Sequence, residues 1–221
     1  MIKVYPNFLK EEEAERLVNE IYNMDPSWFF HAYVKEGIDY AKYYTNSLAH
    51  RKLKKELNEG LVYSMQNGKF TYRFKRSTDH VKHCKCFECV FRENSLEGAI
   101  KHFVAREMGY ENPVLGETFI SCYESGDFLS THGDKQKGGC AFILNLTKDW
   151  RPEYGGLLNI KREENIYHTV APSFNTLVIM DLGDGGRDHF VSEVTKYAPH
   201  ARIAIGGWYE DKKETEIEPN K

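Results

Sequence analysis

From Pro113 onward the chain breaks into short apolar stretches split by Gly- and Asp-bearing turns, and no other feature constrains its fold as strongly. Phe119-Ile120-Ser121-Cys122-Tyr123 alternates at the period of a strand, and Ile203-Ala204-Ile205-Gly206-Gly207-Trp208-Tyr209 reads as a second, apolar one. Such a succession favours a β-barrel or sandwich-like core.

The chain before Pro113 differs. Residues 1–9 suit a short strand. Leu17, Val18, Ile21 and Tyr22 then trace a helical stripe behind a first turn rich in Glu. Ser27 to Tyr44 is aromatic-rich and reads as a core edge in preference to a substrate-facing wall. Leu53, Leu57 and Leu61 recur every fourth residue through a basic helix, whose charges read as a solvated face. Phe70 to Arg76 has strand character, and a loop rich in His and Cys follows. Asn94 and Glu97 fit a capping box, after which Leu96, Ala99, Ile100, Phe103 and Val104 mark a helix face closed by Gly109. The expected class is therefore mainly β with N-terminal helices (α+β). A single domain spans 1–209, with 1–112 as helical support and lid segment and 113–209 as the core. The charged segment from Glu210, which contains Pro219, is expected to be a disordered tail.

Composition removes several function classes. A length of 221 residues suits one sizeable domain, and a formal net charge of -3 argues against a general nucleic-acid or membrane-surface role. No apolar run approaches a membrane span, and Met1-Ile2-Lys3-Val4-Tyr5-Pro6 lacks the apolar core of a signal peptide. The 5 cysteines are too few and too unevenly placed for a secreted disulfide framework. The chain accordingly reads as soluble and cytoplasmic.

Within the β-rich half, His132 and Asp134 stand two apart in Ser130-Thr131-His132-Gly133-Asp134, so an extended backbone would send both side chains from one face. Imidazole plus carboxylate suits a borderline divalent ion, and one further His would complete the open-sided set of non-heme Fe(II) sites. His189 is the best candidate, since it opens an extended segment after enough chain for several strands. Taken alone, these residues equally suit a polar turn and a surface histidine. Thirteen positions after His189 comes Arg202, at the head of an apolar strand that a guanidinium would enter only with an anionic partner. That partner is either a ligand or a protein carboxylate in a buried ion pair.

Together these residues resemble the prolyl 4-hydroxylase-like branch of the 2-oxoglutarate/Fe(II)-dependent dioxygenases, where His-x-Asp, a distal His and a later Arg or Lys recur in this order. The likeness extends to Tyr123-Glu124-Ser125-Gly126-Asp127-Phe128-Leu129, to Leu144-Asn145-Leu146-Thr147-Lys148-Asp149-Trp150 and to Gly155-Gly156-Leu157-Leu158, about half the chain. It implies a double-stranded β-helix (jelly-roll) core, Fe(II) on His132, Asp134 and His189, 2-oxoglutarate as co-substrate held by Arg202, and O2, and it admits ascorbate. The implied reaction decarboxylates 2-oxoglutarate to succinate and CO2 while oxidising a C–H bond. The resemblance also implies co-substrate contact by Tyr123. Relatives often carry a second Tyr where this chain has Ile143, which nominates Asn145 or Thr176 in its place. Asp134 points away from the halogenating relatives, which lack the carboxylate. Trp208, six residues after Arg202, stands where nucleic-acid dealkylating relatives usually have a second Arg, and it resembles a substrate-facing strand end.

The expected activity is hydroxylation of a prolyl residue in a peptide or protein. Oxidation of a free amino acid or other small molecule on the same core is the alternative, and a non-catalytic metal-dependent sensor or binding module stands behind both. Arg73, in the aromatic and basic run Phe70 to Arg76, is expected to face substrate beside Trp208. A separate expectation concerns His80, His83, Cys84, Cys86 and Cys89, whose thiolates and imidazoles suit a structural zinc bracing their loop.

Overall fold

The computed structural model describes residues 1–25, 29–35, 38–43, 59–77, 98, 100–134, 137–183 and 186–212, with the side chains of 34–43 excluded. Twelve strands make one strongly curled sheet in the order β1-β10-β7-β12-β5-β4-β6-β11-β8-β9, with β2 and β3 attached to β4. The strands are β1 Ile2–Pro6, β2 Phe29–Lys35, β3 Ile38–Tyr43, β4 Tyr72–Ser77, β5 Pro113–Tyr123, β6 Phe128–His132, β7 Cys140–Asn145, β8 Leu158–Glu163, β9 Ile166–Val170, β10 Thr176–Asp181, β11 His189–Val191 and β12 Arg202–Asp211. The helices α1 Glu11–Asn23 and α2 Ile100–Met108 cover one side. This is the expected mainly β, jelly-roll architecture.

Strand periodicity explains how the sheet buries both of its faces. On β7, β10 and β12 the residues Phe142, Leu144, Leu177, Ile179, Ile203 and Ile205 point outward and pack with Leu17, Val18 and Ile21 of α1 and with Ile100 and Val104 of α2. Their neighbours Ala141, Ile143, Val178 and Met180 point inward and meet Leu158, Ile160 and Val191 of the opposing strands. Because the side-chain period is two, one apolar strand supplies two cores, and a register slip of one residue would exchange them. Ile205 is fully buried, so its truncation to Ala would cost about 2–5 kcal/mol.

β4 folds the sheet over. Its second half pairs with β5 (Lys75↔Cys122, Arg76↔Ser121) and its first half with β6 (Tyr72↔Leu129, Arg73↔Phe128). One strand thus hands the sheet from β5-β12-β7-β10-β1 to β6-β11-β8-β9, and the inner faces of the two halves enclose a space between them.

Two expectations need correction. The segment 1–112 is not helical support alone: β1 is the edge strand of the main half, paired with β10 from Ile2↔Met180 to Pro6↔Thr176, and β2 to β4 also belong to the sheet. The aromatic and β-branched side chains of these segments fit a half-buried pleated surface. Tyr33, which packs with Leu61 and Phe128, fulfils the core reading of its stretch. The last strand also outlasts its apolar run, since Glu210 and Asp211 still pair with Val114 and Pro113 and the Asp211 carboxylate accepts a bond from the Asn112 amide at 2.8 Å. Leu53, Leu57 and the capping box at Asn94 and Glu97 lie outside the described residues.

Candidate active site

β6 and β11 pair directly at His132↔His189, which sets the two imidazoles side by side with ring centroids 4.2 Å apart. β6 ends at His132, so Asp134 is presented by the turn that follows and not by continued strand as expected. The turn still brings its carboxylate between the rings: Oδ1 lies 3.4 Å from His132 Nε2 and Oδ2 3.4 Å from His189 Nε2. One ligand atom from each residue falls within 4.8 Å of the others, a spacing that could hold one metal ion.

The backbone selects the tautomer of each ring. His132 Nδ1 is 3.0 Å from the Ser130 carbonyl and His189 Nδ1 is 2.7 Å from the Arg187 carbonyl. A carbonyl only accepts, so Nδ1 of each ring carries a proton and Nε2 is the atom that faces Asp134. Burial works against the charge of Asp134, but its bonds to the two histidines outweigh burial and hold the carboxyl far below the usual range. Two imidazole nitrogens and one carboxylate form the donor set suited to non-heme Fe(II).

These groups line a cavity of about 670 Å³ between the two halves of the sheet. Arg202 reaches the same cavity from the first position of β12, beside Tyr123, its partner across the strands. Only 2% of Arg202 is exposed, its Cζ lies 5.0 Å from the Tyr123 ring centroid, and its Nε has no hydrogen-bond partner. Among the described residues no carboxylate pairs with it. Burial lowers the Arg202 pKa, while its contact with the Tyr123 hydroxyl opposes the shift. Burial pushes the Tyr123 phenol up, with Arg202 acting against it, so the hydroxyl stays protonated. A buried cation without an anion is costly, and the dicarboxylate 2-oxoglutarate would supply one. Gly156 makes room for this arrangement, since a Cβ there would sit 3.2 Å from Arg202 Cδ.

The remaining predicted residues divide. Trp208 lines the cavity and donates its indole N–H to Asp134 Oδ2 at 3.1 Å. Asn145 lies on the inner face but outside the cavity lining, with its amide nitrogen directed to the Thr176 carbonyl at 3.3 Å. Thr176 likewise does not line the cavity, and Ile143 does. Arg73 does not line the cavity: strand alternation turns it to the opposite side of β4, where its Nε donates to Asp127 at 2.8 Å. Gly126 permits this packing, because a Cβ at its φ of +83° would fall 2.4 Å from the Arg73 guanidinium. His80, His83, Cys84, Cys86 and Cys89 lie outside the described residues.

The residue on the cavity side of β4 is Arg76, two positions from Phe74 in the same period as Phe70 and Tyr72. That parity was present in the sequence and identifies Arg76 over Arg73. Glu117, Phe119 and Lys137 also line the cavity, yet they come from distant segments with no local pattern to announce them.

Residues 118–210 match the family model of the 2OG-Fe(II) oxygenase superfamily. No curated protein matches the chain. Among solved structures, a prolyl hydroxylase from Trichoplax adhaerens, in complex with a peptide fragment of the hypoxia inducible factor oxygen degradation domain, aligns with a TM-score of 0.66 at 16% identity, covering 99% of this chain and 87% of that one. A Pseudomonas putida prolyl-4-hydroxylase aligns at 0.59 and 15% identity, covering 96% and 93%. A 2OG-Fe(II) oxygenase family oxidoreductase from Burkholderia pseudomallei aligns at 0.52 and 14%, covering 65% and 68%. These likenesses concern the fold. The family match, in contrast, runs over the strands that carry His132, Asp134, His189 and Arg202, and its family implies Fe(II), 2-oxoglutarate and O2: residues 118–210 match the 2OG-Fe(II) oxygenase superfamily, and the match supports a dioxygenase enzyme.

Proposed function

We propose that this enzyme hydroxylates a prolyl residue within a peptide or protein, using Fe(II), O2 and 2-oxoglutarate and releasing succinate and CO2. The observation that carries the reading is the opening of the His132, Asp134 and His189 cluster and of the buried Arg202, which has no carboxylate partner among the described residues, into one cavity. His132, Asp134 and His189 would hold the metal, and Arg202 the far carboxylate of the co-substrate. Bound iron and 2-oxoglutarate supply O2-dependent oxidation of a C–H bond, coupled to decarboxylation of the keto acid.

The chain's own residues supply position and dryness. The Ser130 and Arg187 carbonyls engage Nδ1 of both rings and so leave Nε2 as the atom for the metal, and the Trp208 indole orients the second carboxylate oxygen. Arg202 and the protonated Tyr123 hydroxyl offer donors to a carboxylate at the buried end. Leu158, Val191, Ile143 and Met180 exclude water around it. Phe70, Tyr72, Phe74, Phe119 and Trp208 line the cavity with aromatic surface suited to a pyrrolidine ring. A stiff, Pro-containing segment loses less chain entropy on binding there than a flexible one. Two of the aligned structures are named as prolyl hydroxylases, one of them with a bound peptide, and this agrees with the substrate class. Ascorbate would serve to maintain ferrous iron.

The test is stimulation of 2-oxoglutarate turnover by Pro-containing peptides, with succinate formed in proportion to a product heavier by one oxygen. Efficient hydroxylation of free proline without turnover of any Pro-containing peptide would overturn the substrate.

A further inference from the structure

The cavity has a second cationic end that the metal and co-substrate do not use. Arg76 reaches it from β4, and its Cζ lies 3.9 Å from the Phe119 ring centroid. Lys137 Nζ lies 5.3 Å from the Trp208 ring centroid, and the Phe119 and Trp208 rings are themselves 5.9 Å apart. The two rings therefore form a shelf with a cation over each. A single carboxylate, Glu117, serves both: it accepts from Arg76 Nη2 with one oxygen and from Lys137 Nζ with the other at 2.9 Å. Among the described residues neither cation has another carboxylate, and Arg76 Nε is buried without a partner. Two cations and one anion leave one positive charge in excess at the cavity mouth. Arg202 is a separate cation, which lies beside Tyr123 and pairs with neither Glu117 nor Lys137.

We propose that the Arg76, Glu117 and Lys137 bracket is a substrate-recognition site for a carboxylate, carried by an acidic residue of the polypeptide whose apolar part lies on the Phe119 and Trp208 shelf. This rests on the oxygenase reading and adds the charge of the substrate to it. Glu117 fixes the spacing of the two cations without neutralising both. An incoming carboxylate gains a charge-assisted bond where the aromatic shelf has already thinned the water. Arg76 is the fixed side of the bracket, since its strand register is set by its pairing with Ser121.

The experiment compares binding to the full chain, by calorimetry, of Pro-containing peptide pairs that differ only by Glu against Gln near the proline. A small apolar amino acid is compared with its amide as a second arm. The Glu peptide should bind about tenfold more tightly than the Gln peptide. Arg76→Gln should bring that ratio close to one, and Arg76→Glu should invert it in favour of a Lys-bearing peptide. Lys137→Gln, at a more exposed position, should also reduce the ratio if the Arg76 variants do not fold. Salt should weaken the preference in the parent protein. Equal binding of the Glu and Gln peptides, a preference that survives in both Arg76→Gln and Lys137→Gln, or no binding of any acid would overturn the site. Preference for the small acid alone, lost in Arg76→Gln, would keep the carboxylate site and reassign its source. A charge preference without hydroxylation would leave the site standing and overturn the prolyl reading. Hydroxylation without charge preference would do the reverse.

Discussion

The indole N–H of Trp208 donates to Asp134 Oδ2 at 3.1 Å, linking the end of β12 to the turn after β6 across the cavity. The other carboxylate oxygen lies 3.4 Å from His132 Nε2. An outer donor of this kind fixes the rotamer of a metal-binding carboxylate, and its loss typically weakens metal binding roughly ten- to a hundred-fold. Trp208→Phe, which keeps a ring on the shelf but removes the donor, should show that weakening in Fe(II) titrations while the protein remains folded. Unaltered metal affinity would confine Trp208 to a substrate-lining role.

His132→Ala and His189→Ala each remove one nitrogen of the proposed set, and two remaining ligands are too few for a stable site. Either variant should lose stoichiometric Fe(II) and 2-oxoglutarate turnover together, measured by elemental analysis and succinate release. Full iron content with full turnover in either variant would remove that residue from the metal site.

The residues of the metal cluster and Arg202 were legible because each stands in a local pattern: a two-residue spacing after a strand, a His opening a strand, a cation heading an apolar one. The turn that presents Asp134 was not legible, because spacing of two is compatible with both strand and turn. The expectation for Arg73 runs against the period through Phe70, Tyr72 and Phe74, which assigns Arg76 to the cavity face. Asn145 was nominated to replace a tyrosine hydroxyl, but its shorter side chain engages the neighbouring strand at Thr176. Glu117 and Lys137 meet only because β4, β5 and the segment after β6 converge, and pairing between distant segments leaves no trace in sequence spacing. For the same reason, the sheet membership of β1 could not be read from its own few residues.

Arg202 offers a test with two separate readouts. Loss of a charge-assisted pair costs roughly 1.5–3 kcal/mol, or about ten- to a hundred-fold in affinity. Arg202→Met should therefore raise the 2-oxoglutarate dissociation constant by that factor while Fe(II) affinity holds. Because the guanidinium is buried without a carboxylate partner, Met should leave the ligand-free protein as stable or make it more so. The rise in Tm that 2-oxoglutarate gives the parent protein should shrink in the variant. Unchanged co-substrate affinity in a folded variant would assign the anchor elsewhere.

Asp127 carries a pH prediction independent of the metal. Its side chain is 4% exposed in the turn between β5 and β6, where it accepts from Arg73 Nε and from the Glu124 amide, each at 2.8 Å. Burial outweighs these bonds and raises its pKa from 3.8 to about 6. Between those values the folded chain binds more protons at this site than the unfolded chain, so stability falls as pH rises. The contribution is fully present below the unfolded value and lost as pH climbs through the folded one. Such a displacement corresponds to about 3 kcal/mol. Asp127→Asn removes this titration, so the stability of the parent relative to the variant should drop by about that amount between roughly pH 4 and pH 7. Urea denaturation of both proteins at the two pH values provides the difference, in which groups common to both cancel. A relative stability that stays flat, or that rises with pH, would mean that Arg73 and the Glu124 amide hold the carboxylate ionised against its burial.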